Sequence, residues 1–125
     1  MVGRLIYPKL SYLVIGICFE AHNELGRFAR EKQYGDYIEK RLKESGIKFE
    51  REISISDAGN TIDFSINDKI VLELKNKDVT TKMDYFQIQR YLHSTGLKLG
   101  ILVNFRSKYL RPKRIIRTNK QIPKN

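Results

Sequence analysis

The sequence predicts an α/β domain, a mixed central sheet with helices on both faces. Three observations carry this. Apolar residues recur at three- and four-residue steps through the first third of the chain. Near residue 48 the period changes to two and holds through three short stretches. A further helical stretch then separates the third from the fourth strand, which implies a crossover and hence a mixed sheet.

Pro8 opens the first helix, in the position that tolerates a missing N–H. Leu10, Leu13, Val14, Ile17, Ala21 and Leu25 form its apolar stripe, and Gly26 ends it. A second helix is expected over residues 29–44, with Tyr34, Ile38 and Leu42 inward and Gly46 as its stop. Residues 48–56 alternate as a strand, and Asp57-Ala58-Gly59-Asn60 is turn chemistry. Residues 61–66 and 70–75 alternate again, with Asn67-Asp68-Lys69 between them, so the pair reads as a hairpin. Thr80 or Thr81 caps a third helix reaching about Ser94, closed by Gly96, with Tyr85, Ile88, Tyr91 and Leu92 inward. The nearly unbroken apolar run 97–105 is a strand covered on both faces. Ile115 and Ile116 allow a last, short edge strand before a frayed end.

The chain has 125 residues, enough to bury a core as one domain, 1–125, with a basic tail from about residue 106. Twenty-four Lys and Arg against 14 Asp and Glu give a formal net charge of +10, which points to a polyanionic partner. DNA is the partner expected first; RNA is not distinguished from it. Cys18 is the single cysteine, so no intrachain disulfide forms, and it is expected as a buried, inert thiol. A reducing, cytoplasmic location fits. The apolar run 12–19 is too short to span a bilayer. Arg4 and Lys9 precede it as in a signal peptide, but Glu20, His22 and Glu24 follow at once with no small-residue cleavage site. No membrane partner is expected.

The hairpin carries the chemistry. Alternate strand residues share a face, so Ile62, Phe64 and Ile66 go to one side with Ile70, Leu72 and Leu74. A slip of one residue would drive carboxylates into the core. This sets Ile66 against Ile70, Phe64 against Leu72 and Asp63 against Glu73, and needs a three-residue loop or a shorter turn with a bulge. Opposed carboxylates repel unless compensated. A divalent cation held by Asp63 and Glu73 does this, and two carboxylates with water and phosphate oxygens suit Mg²⁺ or Mn²⁺ better than Zn²⁺. Lys75, on the same face, can position or deprotonate a water or stabilise the charge on a phosphorane-like centre. The same residues also fit an exposed cross-strand salt bridge, Asp63–Lys75 or Glu73–Lys75, on a solvated face.

Asp63 followed on the next strand by Glu73-Leu74-Lys75 resembles the PD-(D/E)xK nuclease superfamily. The resemblance is nearer to its GxxExxY family, through Glu31-Lys32-Gln33-Tyr34, Val71-Leu72-Glu73-Leu74-Lys75, Gln87-Ile88-Gln89-Arg90-Tyr91-Leu92 and Leu97-Lys98-Leu99-Gly100, and it covers roughly residues 10 to 117. It implies a restriction-endonuclease-like αβββαβ core and a metal-dependent phosphodiesterase site. Asp63 and Glu73 would be metal ligands and Lys75 the catalytic lysine, with Glu31 and Tyr34 matching the name motif. Phe28 stands where that motif has Gly, and Ile62 where the superfamily often has Pro. Gln87 and Tyr91 resemble a Q-x-x-x-Y element, one helix face at i,i+4, where Gln87 could orient water or a phosphate; with Glu31 they join the catalytic candidates.

The implied activity is hydrolysis of DNA by a metal-dependent nuclease, with a homodimer possible. The alternative is a nucleic-acid- or partner-binding module of the same fold with little or no turnover. Arg111, Lys113, Arg114 and Arg117 are the expected phosphate contacts, giving affinity without sequence preference. Glu20 and Glu24 are an i,i+4 acidic pair near a helix end, where acids are unfavourable, and one of them could face the site; the separated His22 and His93 are read as ordinary surface residues.

Overall fold

The structure, a computed structural model, describes residues 6–54 and 61–119. The turn expected at 57–60 and the frayed end beyond 119 lie outside the described residues. The first helix, α1 (Pro8–Leu25), has Pro in its first turn and closes at Gly26, φ 75°, whose N–H donates to His22 O at 2.9 Å. Leu13 of the expected stripe is 40% exposed; the buried stripe is Val14, Ile17, Cys18 and Ala21. The second, α2 (Glu31–Glu44), starts two residues later than the periodicity implies. Residues 26–29 are instead drawn into a turn by Tyr34, whose hydroxyl donates to Gly26 O and accepts the Ala29 N–H at 3.3 Å. Tyr34 itself is buried, stacked 4.0 Å from Phe105.

Five strands follow: β1 (Phe49–Ser54), β2 (Thr61–Ile66), β3 (Ile70–Lys75), β4 (Leu99–Asn104) and β5 (Lys113–Ile116). The helix α3 (Lys82–Thr95) makes the crossover between β3 and β4. The strands lie in sequence order, with β3 and β4 parallel and the other neighbours antiparallel. The mixed α/β sheet with helices on both faces is therefore present. One core cluster joins Phe64, Ile66, Leu72, Leu74, Ile101 and Val103 to α1 and α2. The other joins Val71, Leu102 and Ile115 to Ile88, Tyr91 and Leu92 of α3. Burial on both faces explains the unbroken apolar run in β4. Gly100 lets α3 approach closely, since a Cβ there would lie 2.6 Å from Ile88 Cγ2.

The hairpin has the expected register, Phe64 against Leu72 and Ile66 against Ile70. Its three-residue loop combines both anticipated forms. Asn67 and Asp68 both take φ 53°, a conformation these residue types tolerate, and Lys69 N–H donates to Ile66 O at 3.0 Å. One expectation fails. Ile62 does not share a face with Phe64 and Ile66; it packs into the α3-side cluster with Ile53. The cause is local: the β1–β2 ladder skips Glu52 and Asp63, and Glu52 sits at φ 57°. One pleat is lost there, so the strand pair changes sides.

Candidate active site

Asp63 lies at that break. The β2–β3 ladder ends at the Phe64–Leu72 pair, and side chains then take the place of backbone rungs. Asp63 N–H donates to Glu73 Oε1 at 3.0 Å, and Leu74 N–H donates to Asp63 Oδ2 at 2.7 Å. The two carboxylates thus interlock in the notch between separating strands. Glu73 is only 4% exposed, so the solvated salt-bridge reading does not describe it. Burial, and next the charge of Asp63, push Glu73 up from 4.5 to about 8; Lys75 opposes both.

Lys75 Nζ stands 3.5 Å from Glu73 Oε2 and 3.7 Å from Asp84 Oδ1. Burial alone would lower the ammonium, but Glu73, Asp84 and Glu31 outweigh it and hold Lys75 above its ordinary value. Lys75 is therefore a fixed cation. Of the roles expected of it, a charged ammonium suits stabilisation of negative charge on a phosphoryl group.

Asp84 is the site residue that the sequence reading missed. It is 5% exposed, takes Lys77 Nζ at 2.7 Å, and accepts the Thr81 N–H at 2.8 Å as half of the α3 capping box. Burial works to raise its carboxyl, and Lys77, Thr81 and Lys75 together bring it below the usual range. Its signal was visible, Thr81-x-x-Asp84, but a cap explains that spacing without a site.

Glu31, the first residue of α2, accepts the Asn76 N–H at 3.1 Å, one residue beyond Lys75. The helix N-terminus and the site thus share this carboxylate. Gln87 donates to Thr61 O at 3.3 Å, and the Tyr91 hydroxyl bonds Ser65. Both bracket Asp63 along β2, and their bonds go to that strand rather than to the carboxylates. A cleft of about 310 Å³, lined by Glu31, Arg51, Glu52 and Asp63 among others, opens onto the notch.

The four expected phosphate contacts divide. Arg114 donates to Ser11 Oγ at 2.6 Å and Ile6 O at 2.7 Å, tying β5 to the start of α1. Arg117 donates to the Gly96 and Leu97 carbonyls at the end of α3. Arg111 and Lys113 are exposed and line a second cleft of about 340 Å³. Glu20 pairs with Arg41 at 2.8 Å, and His22 bonds Ser107 O at 2.9 Å. Cys18 is fully buried, which pushes its thiol up to about 12, as expected of an inert group.

Among the described residues no three His, Cys, Asp or Glu side chains converge as a metal cage. The donor set still fits a hard divalent cation. Such ions bind through one or two carboxylates and keep water and phosphate oxygens as further ligands. A buried carboxylate pushed up to about 8 beside the half-buried Asp63 is the like-charge arrangement that a cation relieves. No described helix is long and apolar enough to cross a membrane. Comparison with family models matches residues 8–118 to the one described as PD-(D/E)XK nuclease superfamily. Comparisons with curated proteins and with solved structures returned no match.

Proposed function

The chain belongs to the PD-(D/E)XK nuclease superfamily, and from that premise we propose that it hydrolyses phosphodiester bonds in DNA with Mg²⁺ or Mn²⁺ held by Asp63 and Glu73. One observation carries the reading: Asp63 and Glu73 interlock at the ladder break with the Lys75 ammonium 3.5 Å from Glu73. When bound, the cation polarises the scissile phosphate and lowers the pKa of a water. The chain's own residues do the rest. Asp63 and Glu73 are fixed by backbone N–H groups, so the ligand geometry is set before substrate arrives. Lys75, kept charged by Glu73 and Asp84, faces the negative charge that grows on the phosphoryl oxygens as water adds and the ester oxygen leaves. Glu31 holds the turn after Lys75 through Asn76. Gln87 and Tyr91 are positioning residues that hold β2 on both sides of Asp63. The net charge of +10 supports a nucleic-acid substrate. Glu31 and Tyr34 support a position beside the GxxExxY family.

The test is cleavage of plasmid, single-stranded DNA and RNA with Mg²⁺, Mn²⁺ or EDTA, comparing wild type with Glu73→Gln and Lys75→Ala. Metal-dependent cutting lost in both variants is the expected result. If wild type cuts nothing, or the variants cut equally well, the enzyme reading fails and the binding-module alternative takes its place.

A further inference from the structure

Phe28 has no part in the core. It is 72% exposed on the turn before α2, in a chain that buries most of its large apolar residues. Two guanidinium groups attend its ring, Arg27 at 4.9 Å and Arg106 at 5.3 Å from the centroid. These arginines are fixed. Arg27 Nε donates to Arg106 O at 2.8 Å, and Arg106 Nε donates to Asn76 Oδ1 at 2.7 Å. Asn76 also reaches back to Ala29 O and lies one residue beyond Lys75. The exposed ring is therefore joined through two side chains to the end of the catalytic strand.

The cleft with Arg111 and Lys113 lies near this point: Ser107, the residue after Arg106, lines it, as do Leu102, Asn104 and Asp78, the last paired with Arg106 at 3.5 Å. Leu102 and Asn104 stand beside Glu73 and Lys75 in the parallel β3–β4 register. One path thus runs from an aromatic ring with two cations, past the strand that flanks the catalytic pair, to two exposed cations.

We propose that Phe28 is a stacking platform for an unpaired base, and that the substrate is single-stranded nucleic acid whose backbone follows the Ser107–Arg111–Lys113 cleft. A base offers a π-face to an aromatic ring only when it is free of its own stack, whereas a paired duplex presents phosphates and groove edges. Phosphate contacts alone would use the cations without needing an exposed Phe among them. The proposal rests on the nuclease reading for its placement at the site, but its test does not.

Binding is measured by fluorescence anisotropy in EDTA, where no cleavage intervenes, with labelled oligo(dT), oligo(U), a duplex of equal length and an oligonucleotide of abasic residues. Wild type is expected to bind the single strands about tenfold or more tighter than the duplex, and Phe28→Ala to weaken single-strand binding by about five- to a hundredfold. Phe28→Trp restores it, and the abasic strand shows no difference between wild type and Phe28→Ala. Oligo(dT) against oligo(U) decides between DNA and RNA within the proposal. Arg111→Gln with Lys113→Gln weakens every ligand and flattens the salt dependence. Circular dichroism verifies that each variant is folded. Equal or tighter duplex binding, or unchanged single-strand binding by Phe28→Ala, overturns the proposal even if Mg²⁺-dependent cleavage is found. Phe28-dependent single-strand binding without any cleavage sustains it while the nuclease reading falls.

Discussion

Replacing Glu73 by Gln separates the stability of this site from its chemistry. Glu73 is ordinarily ionised above pH 4.5, but in the folded chain it holds its proton to about pH 8. Below the lower value it is neutral in both states and costs nothing. Between the two values the unfolded chain ionises freely while the folded chain does not. The folded state then binds more protons, and stability falls as pH rises. At 1.36 kcal/mol per unit, that loss comes to about 3 kcal/mol between about pH 5 and pH 8. Gln is the neutral shape of the same side chain. Its oxygen can accept the Asp63 N–H, and its amide can donate to the Asp63 carboxylate. Glu73→Gln should therefore match wild type near pH 5 and exceed it at about pH 8 in EDTA, by about 10 °C in Tm for a domain of this size. Mg²⁺ at the higher pH should narrow the gap, because it stabilises only the chain that can ionise and bind it. The assay is thermal unfolding followed by circular dichroism across pH, with and without metal, alongside cleavage. A variant no more stable than wild type at pH 8 would show that Glu73 is already ionised there, and the account of a proton-holding pair would be wrong.

Three further outcomes are expected. Lys75→Met should cut cleavage by about a hundredfold or more through lost charge stabilisation; with that cation gone Glu73 keeps its proton to higher pH, so an acid limb that does not move upward in the pH–rate profile counts against the pairing. Gly100→Ala should cost about 1–3 kcal/mol by overpacking against Ile88, and urea titration of the double variant with Ile88→Ala should recover part of it; strict additivity would mean the two do not meet. Tyr34→Phe strips the Ala29 N–H of its acceptor and should cost about 1–2 kcal/mol, seen as a lower urea midpoint, with cleavage by the folded protein unchanged; a lost activity instead would place the hydroxyl in the chemistry.

Much of the scaffold was legible because its signals are local. Pro8, Gly26, Thr81 and Gly96 mark helix ends by backbone geometry that holds wherever they occur. The Phe64–Leu72 and Ile66–Ile70 pairs followed from strand parity and a three-residue loop, both short-range; Asp63 meets Glu73 beyond the last of these rungs, through side chain to backbone bonds. What escaped depends on distant partners or on one torsion. Ile62 changes face where the β1–β2 ladder skips Glu52, at φ 57°, and Asp63, and nothing in the neighbouring sequence announces that break. Arg114 is taken up by Ser11 Oγ, 103 residues away, so a basic run could not show which of its members the fold uses. Asp84 was hidden by a sufficient local explanation, and its pairing with Lys75 exists only once α3 has crossed over β3.

The interlocked pair also says how this chain would drift if cutting ceased to matter. Gln at 73 could keep the rung to Asp63 without a carboxyl whose ionisation the fold opposes, so random substitution followed by selection for folding alone would move that position toward the amide. Glu73 is the less stable choice at neutral pH. A lineage that keeps Glu at 73 is holding against that gradient, and descendants that have abandoned the reaction should be recognisable by Gln in its place, with the fold intact and firmer than before.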